Sequence, residues 1–149
     1  MMTKGMIRDG RTDLVFEHLA APVHWNELQR DRFGDDPAMQ DELVALVIAG
    51  RKTATCLAEA TTEQAPYPGM LTLIEDGSGR PRCVIQTVSV EVRRFSDVDE
   101  AHAREEGEGD LSLEYWRAVH QAYFEREGTY SKDMMLLCER FGLVRVLEL

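Results

Sequence analysis

Hydrophobic positions recur at helical spacing in two stretches of the chain and at strand spacing in several others. From Asp36 to Ala49, Met39, Leu43, Leu46 and Val47 fall on one helical face. Asp36 offers an N-cap oxygen, Pro37 suits the first helical position, and Gly50 terminates the helix. A second helix is expected after the cap residue Ser112, with Leu113, Trp116, His120 and Tyr123 on one stripe and Val119 and Phe124 beside it. A short helix is expected over Trp25 to Arg32, where Trp25, Leu28 and Arg32 share a face. The run Thr53 to Thr55 favours extended chain, and Glu59 to Pro68 reads as a loop closing at Gly69. Met70 to Ile74 and Arg82 to Arg94 read as two strands of an antiparallel hairpin joined by the turn Asp76-Gly77-Ser78-Gly79. On the longer strand, Val84, Val88, Val90 and Val92 are expected to share a core-facing side. The tail from Met134 to Leu149 is β-rich, as one strand bent at Phe141-Gly142 or as two. Residues 1–24 carry no clean period and read as an N-terminal extension. The order α-β-β-β-α-β with hairpin connections implies an α+β fold with a mostly antiparallel, barrel-like sheet flanked by helices.

Composition narrows the class. A chain of 149 residues, 44% hydrophobic and 30% charged, suits one globular domain. No run approaches the roughly 18 apolar residues of a membrane span, so neither a signal peptide nor a membrane anchor is expected. The three cysteines, Cys56, Cys83 and Cys138, are widely spaced and form no metal-binding pattern, which points to reduced thiols and a cytoplasmic protein. The net charge of −10 disfavours extensive contact with a phosphate backbone, although a recessed cation still acts within its own pocket. Between Asp97 and Asp110 stand seven acids against the single Arg104, and with Gly107 and Gly109 the stretch reads as an irregular acidic loop. Glu106, Glu108 and Asp110 lack the twelve-residue pattern of a calcium loop, so no metal site is expected there.

The densest polar cluster is Gly50-Arg51-Lys52-Thr53-Ala54-Thr55. It is not a phosphate-binding P-loop, because positions 46 and 51 are Leu and Arg where that motif needs Gly, and because it follows a helix instead of preceding one. Two cations and two hydroxyls remain at a helix-to-strand junction. A desolvated Lys there can activate a Thr nucleophile or hold an anion; a solvated pair that complements the helix dipole is the plainer reading. Trp116 and His120, one turn apart, read as core, with the option that Trp116 stacks on a base. Cys56 reads as a packed thiol.

Several ordered motifs together resemble the ASCH (ASC-1 homology) domain proteins, relatives of the PUA-like RNA-binding barrels. They are Phe33-Gly34-Asp35, Ala49-Gly50-Arg51-Lys52-Thr53-Ala54-Thr55, Glu106-Gly107-Glu108-Gly109-Asp110 followed by Leu113-Glu114-Tyr115-Trp116-Arg117, and Cys138-Glu139-Arg140-Phe141. The resemblance covers roughly Phe33 to Val146 and implies a PUA-like small β-barrel, with residues 25–149 as the domain. It implies a partner that is RNA or a modified nucleoside. Members of the family include a ribonuclease and shorter amidohydrolases of N-acetylcytidine whose catalytic Lys, Thr and Glu match Lys52, Thr55 and Glu106, the last after His102-Ala103. On that reading Thr55 attacks the acyl carbon, Lys52 loses its proton in a dry pocket and serves as base, and Glu106 orients it or shuttles the proton. Arg51, Thr53 and Trp116 are then expected to bind substrate, and no cofactor is required. On the ribonuclease reading Lys52 stabilises phosphorane charge, Ser131 hydrogen-bonds the phosphate, and a divalent metal can take part. A non-catalytic RNA-binding module is the alternative to both, and the oligomeric state stays open.

Overall fold

In a computed structural model, residues 27–147 are described. They form five strands and three helices: β1 (Gln29–Asp31), α1 (Pro37–Ile48), β2 (Ala54–Ala58), β3 (Leu71–Glu75), β4 (Pro81–Arg94), α2 (Glu100–Glu106), α3 (Leu113–Glu127) and β5 (Met135–Val146). The strands make one sheet in the order β1-β3-β4-β5-β2, antiparallel except for the β1–β3 pair. The sheet curls into a half-barrel, so the class is α+β as the sequence implies. β1 and β2 are its two edges.

Local chemistry explains the clearest elements. Asp36 caps α1 by accepting from the Met39 N–H at 2.9 Å, Pro37 opens the helix, and Leu43, Val44 and Val47 face inward. They pack with Phe33, Ile74, Cys83, Ile85 and Phe141 on one face of the sheet. Ser112 caps α3 through the Tyr115 N–H at 3.0 Å, and Trp116 and Phe124 pack with Phe95, Leu136 and Cys138. Asp76 shapes the hairpin turn by accepting from the N–H groups of Ser78 and Arg80.

Three expectations need correction. The stretch expected as a helix from Trp25 to Arg32 contains strand β1, because Gln29, Arg30 and Asp31 pair in parallel with Thr72, Leu73 and Ile74, and pairing with a distant strand overrides a weak local period. Trp25 and the extension 1–24 lie outside the described residues. The valine stripe does not share a core face: Val84 is buried, whereas Val88 is 58% and Val92 51% exposed. Thr87 pairs with Phe141 and Ser89 with Arg140, so Val88 is the extra residue of a β-bulge, and the alternation reverses beyond it. The acidic stretch is not an irregular loop throughout: Asp99 accepts from the His102 N–H at 2.9 Å and caps α2. The tail, expected as one strand or two, is the single strand β5, carrying Gly142 in its middle.

Candidate functional site

The site is assembled where α1, β2 and the end of α2 meet. After Gly50 the N–H groups of Arg51 and Lys52 both donate to the Leu46 carbonyl, which finishes the helix and turns the chain. Thr53 is then pinned from two sides: its N–H donates to the Glu105 carbonyl at 2.8 Å, and its own carbonyl accepts from Phe141 N–H at 3.0 Å. Regular strand begins only at Ala54, so Lys52 is free of strand alternation and faces inward with Thr55. Gly107 closes α2 with φ +74°, and a Cβ there would collide with the Arg51 carbonyl oxygen. Glycine is what lets the two segments touch.

Lys52 is 2% exposed and Glu106 1%. The Lys52 ammonium donates to Glu108 Oε2 at 2.7 Å and to the Ala54 carbonyl at 2.9 Å, and it lies 3.4 Å from both Glu106 Oε1 and the Glu106 carbonyl. The Phe33 ring lies 5.4 Å away on another side. Glu106 is held in turn by two histidines. His102 Nε2 is 2.6 Å from Oε2, and His120 Nε2 is 3.2 Å from Oε1. His120 Nδ1 faces the Trp116 carbonyl at 2.9 Å, and its ring stacks on Trp116 at 4.3 Å and 16°. A carbonyl and a carboxylate only accept, so this arrangement favours the imidazolium form of His120.

The electrostatics follow from these contacts. Burial alone pulls the Lys52 pKa down, but Glu106 and Glu108 outweigh it and hold the pKa above its ordinary value. Lys52 is therefore an ammonium, and the neutral base expected from a dry pocket is absent from this arrangement. Burial pushes Glu106 up, and Lys52, His120 and His102 together bring it well below the usual carboxylate range. Burial lowers His120 and Glu106 more than restores it, so its pKa is raised. The Cys56 thiol is pushed far up by burial and by Glu106.

The ammonium and its carboxylates open on a cavity of about 150 Å³. Its polar lining includes Lys52, Thr55, Cys56, Glu106, Glu108 and His120, and Phe33, Met39, Leu43, Val119 and Tyr123 supply apolar wall. Lys52, Thr55 and Glu106, distant in sequence, thus border one space. The other candidates do not line it. Arg51 and Thr53 are exposed on the outer side of the junction, Trp116 lies beneath His120, and exposed Ser131 accepts from the Asp133 N–H at 3.1 Å. Cys56, Glu106 and His120 place one potential metal-ligand atom each within 4.8 Å of one another.

A sequence model of the ASCH domain matches residues 29–145. The chain belongs to the ASCH domain family. Solved structures agree: an ASCH domain from Lactobacillus crispatus JV V101 has 32% identity and a TM-score of 0.75, with 79% of this chain and 80% of that one covered. A protein from Enterococcus faecalis V583 has 34% identity and a TM-score of 0.74, with 79% and 77% covered. No curated protein matches this ASCH domain significantly.

Sequence reasoning missed three partners of this ASCH site, the first being His120, which reads as core but contacts Glu106 and lines the cavity. His102 pairs with Glu106 at i, i+4, a spacing that becomes visible once the acidic stretch is read as helix. Glu108, which reads from the sequence as part of the acidic loop, makes the shortest contact to Lys52. Among the described residues no helix is long and apolar enough to cross a membrane, and Cys56, Cys83 and Cys138 are free thiols.

Proposed function

We propose that this ASCH domain is a hydrolase that accepts a single modified nucleoside and cleaves an acyl group from its base, as in N-acetylcytidine. One observation carries this reading: a buried charge chain, Lys52–Glu106–His120, opens together with the Thr55 hydroxyl into one cavity. Thr55 is the nucleophile. Lys52, kept charged, stabilises the oxyanion that forms when the carbonyl is attacked. Glu106 fixes Lys52 and His120 in place, and His120, with its ring nitrogens turned to Trp116 and Glu106, adds positive charge to the wall of the cavity. A cavity of about 150 Å³ is below the roughly 300–1,000 Å³ of pockets for drug-sized ligands, which favours one base and a short acyl group. The net charge of −10 works against longer RNA.

A second reading, an RNA-binding module without turnover, is favoured by the fact that Lys52 and His120 are already paired with Glu106 and Glu108 inside the pocket. The ribonuclease reading finds less support, since Ser131 lies outside the cavity. Incubating the protein separately with N-acetylcytidine and with total RNA, and analysing both by mass spectrometry, tests these readings. Release of cytidine and acetate with intact RNA is expected. Shortened RNA with intact N-acetylcytidine would replace the proposal by the ribonuclease, and no product from either would favour the binding module.

A further inference from the structure

Lys52, Glu106 and His120 leave one chemical role unfilled. A Thr hydroxyl needs a base, and Glu106 is poorly suited because three cationic or donor groups already stabilise its charge. A second carboxylate stands beside Thr55 in the sheet. Glu139 on β5 is directly opposite Thr55 on β2 in the antiparallel register. Such partners project from the same face with Cβ atoms roughly 4.5–5.5 Å apart. Both are enclosed, Glu139 at 6% and Thr55 at 9% exposure.

Thr87 donates to Glu139 Oε2 at 2.6 Å, and this fixes the plane of the carboxyl group. Among the described residues Oε1 has no hydrogen-bond partner, so one oxygen is held and the other is available. The space beside Glu139 shares Asp31, Phe33 and Leu57 with the wall of the Thr55 cavity, so the two spaces adjoin.

We propose that Glu139 is the general base that takes the proton of the Thr55 hydroxyl. The assignment rests on reading Thr55 as the nucleophile. As the Thr55 Oγ–C bond forms, the hydroxyl proton moves to Glu139 and the carbonyl becomes an oxyanion beside Lys52. When the C–N bond breaks, that proton passes to the departing amine. Water then attacks the acyl-Thr55 ester, gives a proton to Glu139, and the acid leaves as Thr55 Oγ recovers the proton. The net change is amide plus water to acid plus amine. The groups around Glu139 make it the better base of the two carboxylates. Burial raises its pKa and Asp31 adds to this, the Thr87 bond and the more distant Lys52 oppose it, and the balance is upward.

The test uses methanesulfonyl fluoride, a small reagent that sulfonylates an activated hydroxyl with loss of fluoride, and needs no assumption about substrate. Modification is followed by intact mass and peptide mapping across pH in the wild type, Thr55→Ala, Glu139→Gln and Glu139→Asp. Gln keeps the acceptor for Thr87 and removes a buried charge, so the fold is retained, as a thermal melt will verify. The wild type should be labelled at Thr55, at a rate that rises as a carboxyl group ionises. Glu139→Gln should lose that limb and react at least roughly a hundredfold more slowly, while Glu139→Asp keeps the limb at a reduced rate. Wild-type-like labelling of Glu139→Gln, or no labelling of Thr55 in the wild type, overturns the assignment. If labelling depends on Glu139 but N-acetylcytidine is left intact, the base stands and the substrate reading falls. If wild type and Glu139→Gln cleave N-acetylcytidine equally, the hydrolase stands and the base assignment falls.

Discussion

Lys52 shows how one residue can be legible in type and misread in state. Its place in the Gly50–Thr55 signature marks it from the sequence, but its charge depends on Glu106 and Glu108, which lie more than fifty residues away in the chain. Lys52→Met strands two carboxylates around an apolar stem, and breaking a buried pair in this way costs roughly 3–5 kcal/mol. We therefore expect a lower melting temperature together with at least a hundredfold loss of turnover, order of magnitude for an electrostatic group. Lys52→Arg keeps the charge and should recover most of the stability in a denaturant titration. His120 gives a pH signature. Its folded pKa lies above the ordinary 6.5, so its pairing with Glu106 contributes fully below that value and is lost as pH rises through the raised folded value. Urea unfolding from mildly acidic to alkaline pH should show stability falling over that rise, and His120→Asn should remove this part of the slope. An unchanged slope would mean that His120 is neutral in the folded protein.

At the scale of elements, legibility followed the strength of local signals. Helices α1 and α3 carry caps and apolar stripes, and the β3–β4 hairpin has an Asp-Gly turn, so local chemistry specifies them. Strand β1 depends on β3, and the bulge at Val88 depends on the register with Phe141 and Arg140; neither partner is visible from within the segment. Helix α2 was hidden by its acids, although Asp99 and Gly107 bracket it as cap and terminator. That glycine gives the element-scale prediction. Gly107→Ala meets both a φ of +74° and the Arg51 carbonyl, so it should destabilise the fold by more than about 1 kcal/mol and displace Lys52 from its carboxylates. Asp99→Ala removes a cap, at about 1 kcal/mol, together with a surface ion pair to Arg93, and leaves the junction intact. Equal loss of ligand binding in the two variants, measured at matched fraction folded, would contradict this distinction.

At the scale of the molecule, the curled sheet brings its two edges to one cavity, with Asp31 of β1 and Thr55 of β2 both in its wall. The family and the α+β class were legible because motifs and alternation span the chain; the convergence of Lys52, Thr55 and Glu106 was implied by likeness, not by spacing. A surface of net charge −10 and a one-base cavity predict that a single-stranded RNA of about 20 nucleotides binds more weakly than a free acylated nucleoside at physiological salt, as fluorescence anisotropy and calorimetry can compare. The central claim is that this pocket performs chemistry through Thr55, beyond holding a base. The most direct measurement pairs calorimetric binding of N-acetylcytidine with chromatographic detection of cytidine, in the wild type and in Thr55→Ala. The account predicts that both proteins bind the nucleoside and only the wild type releases cytidine. Release at the same rate by Thr55→Ala, or binding without release by the wild type, would contradict it.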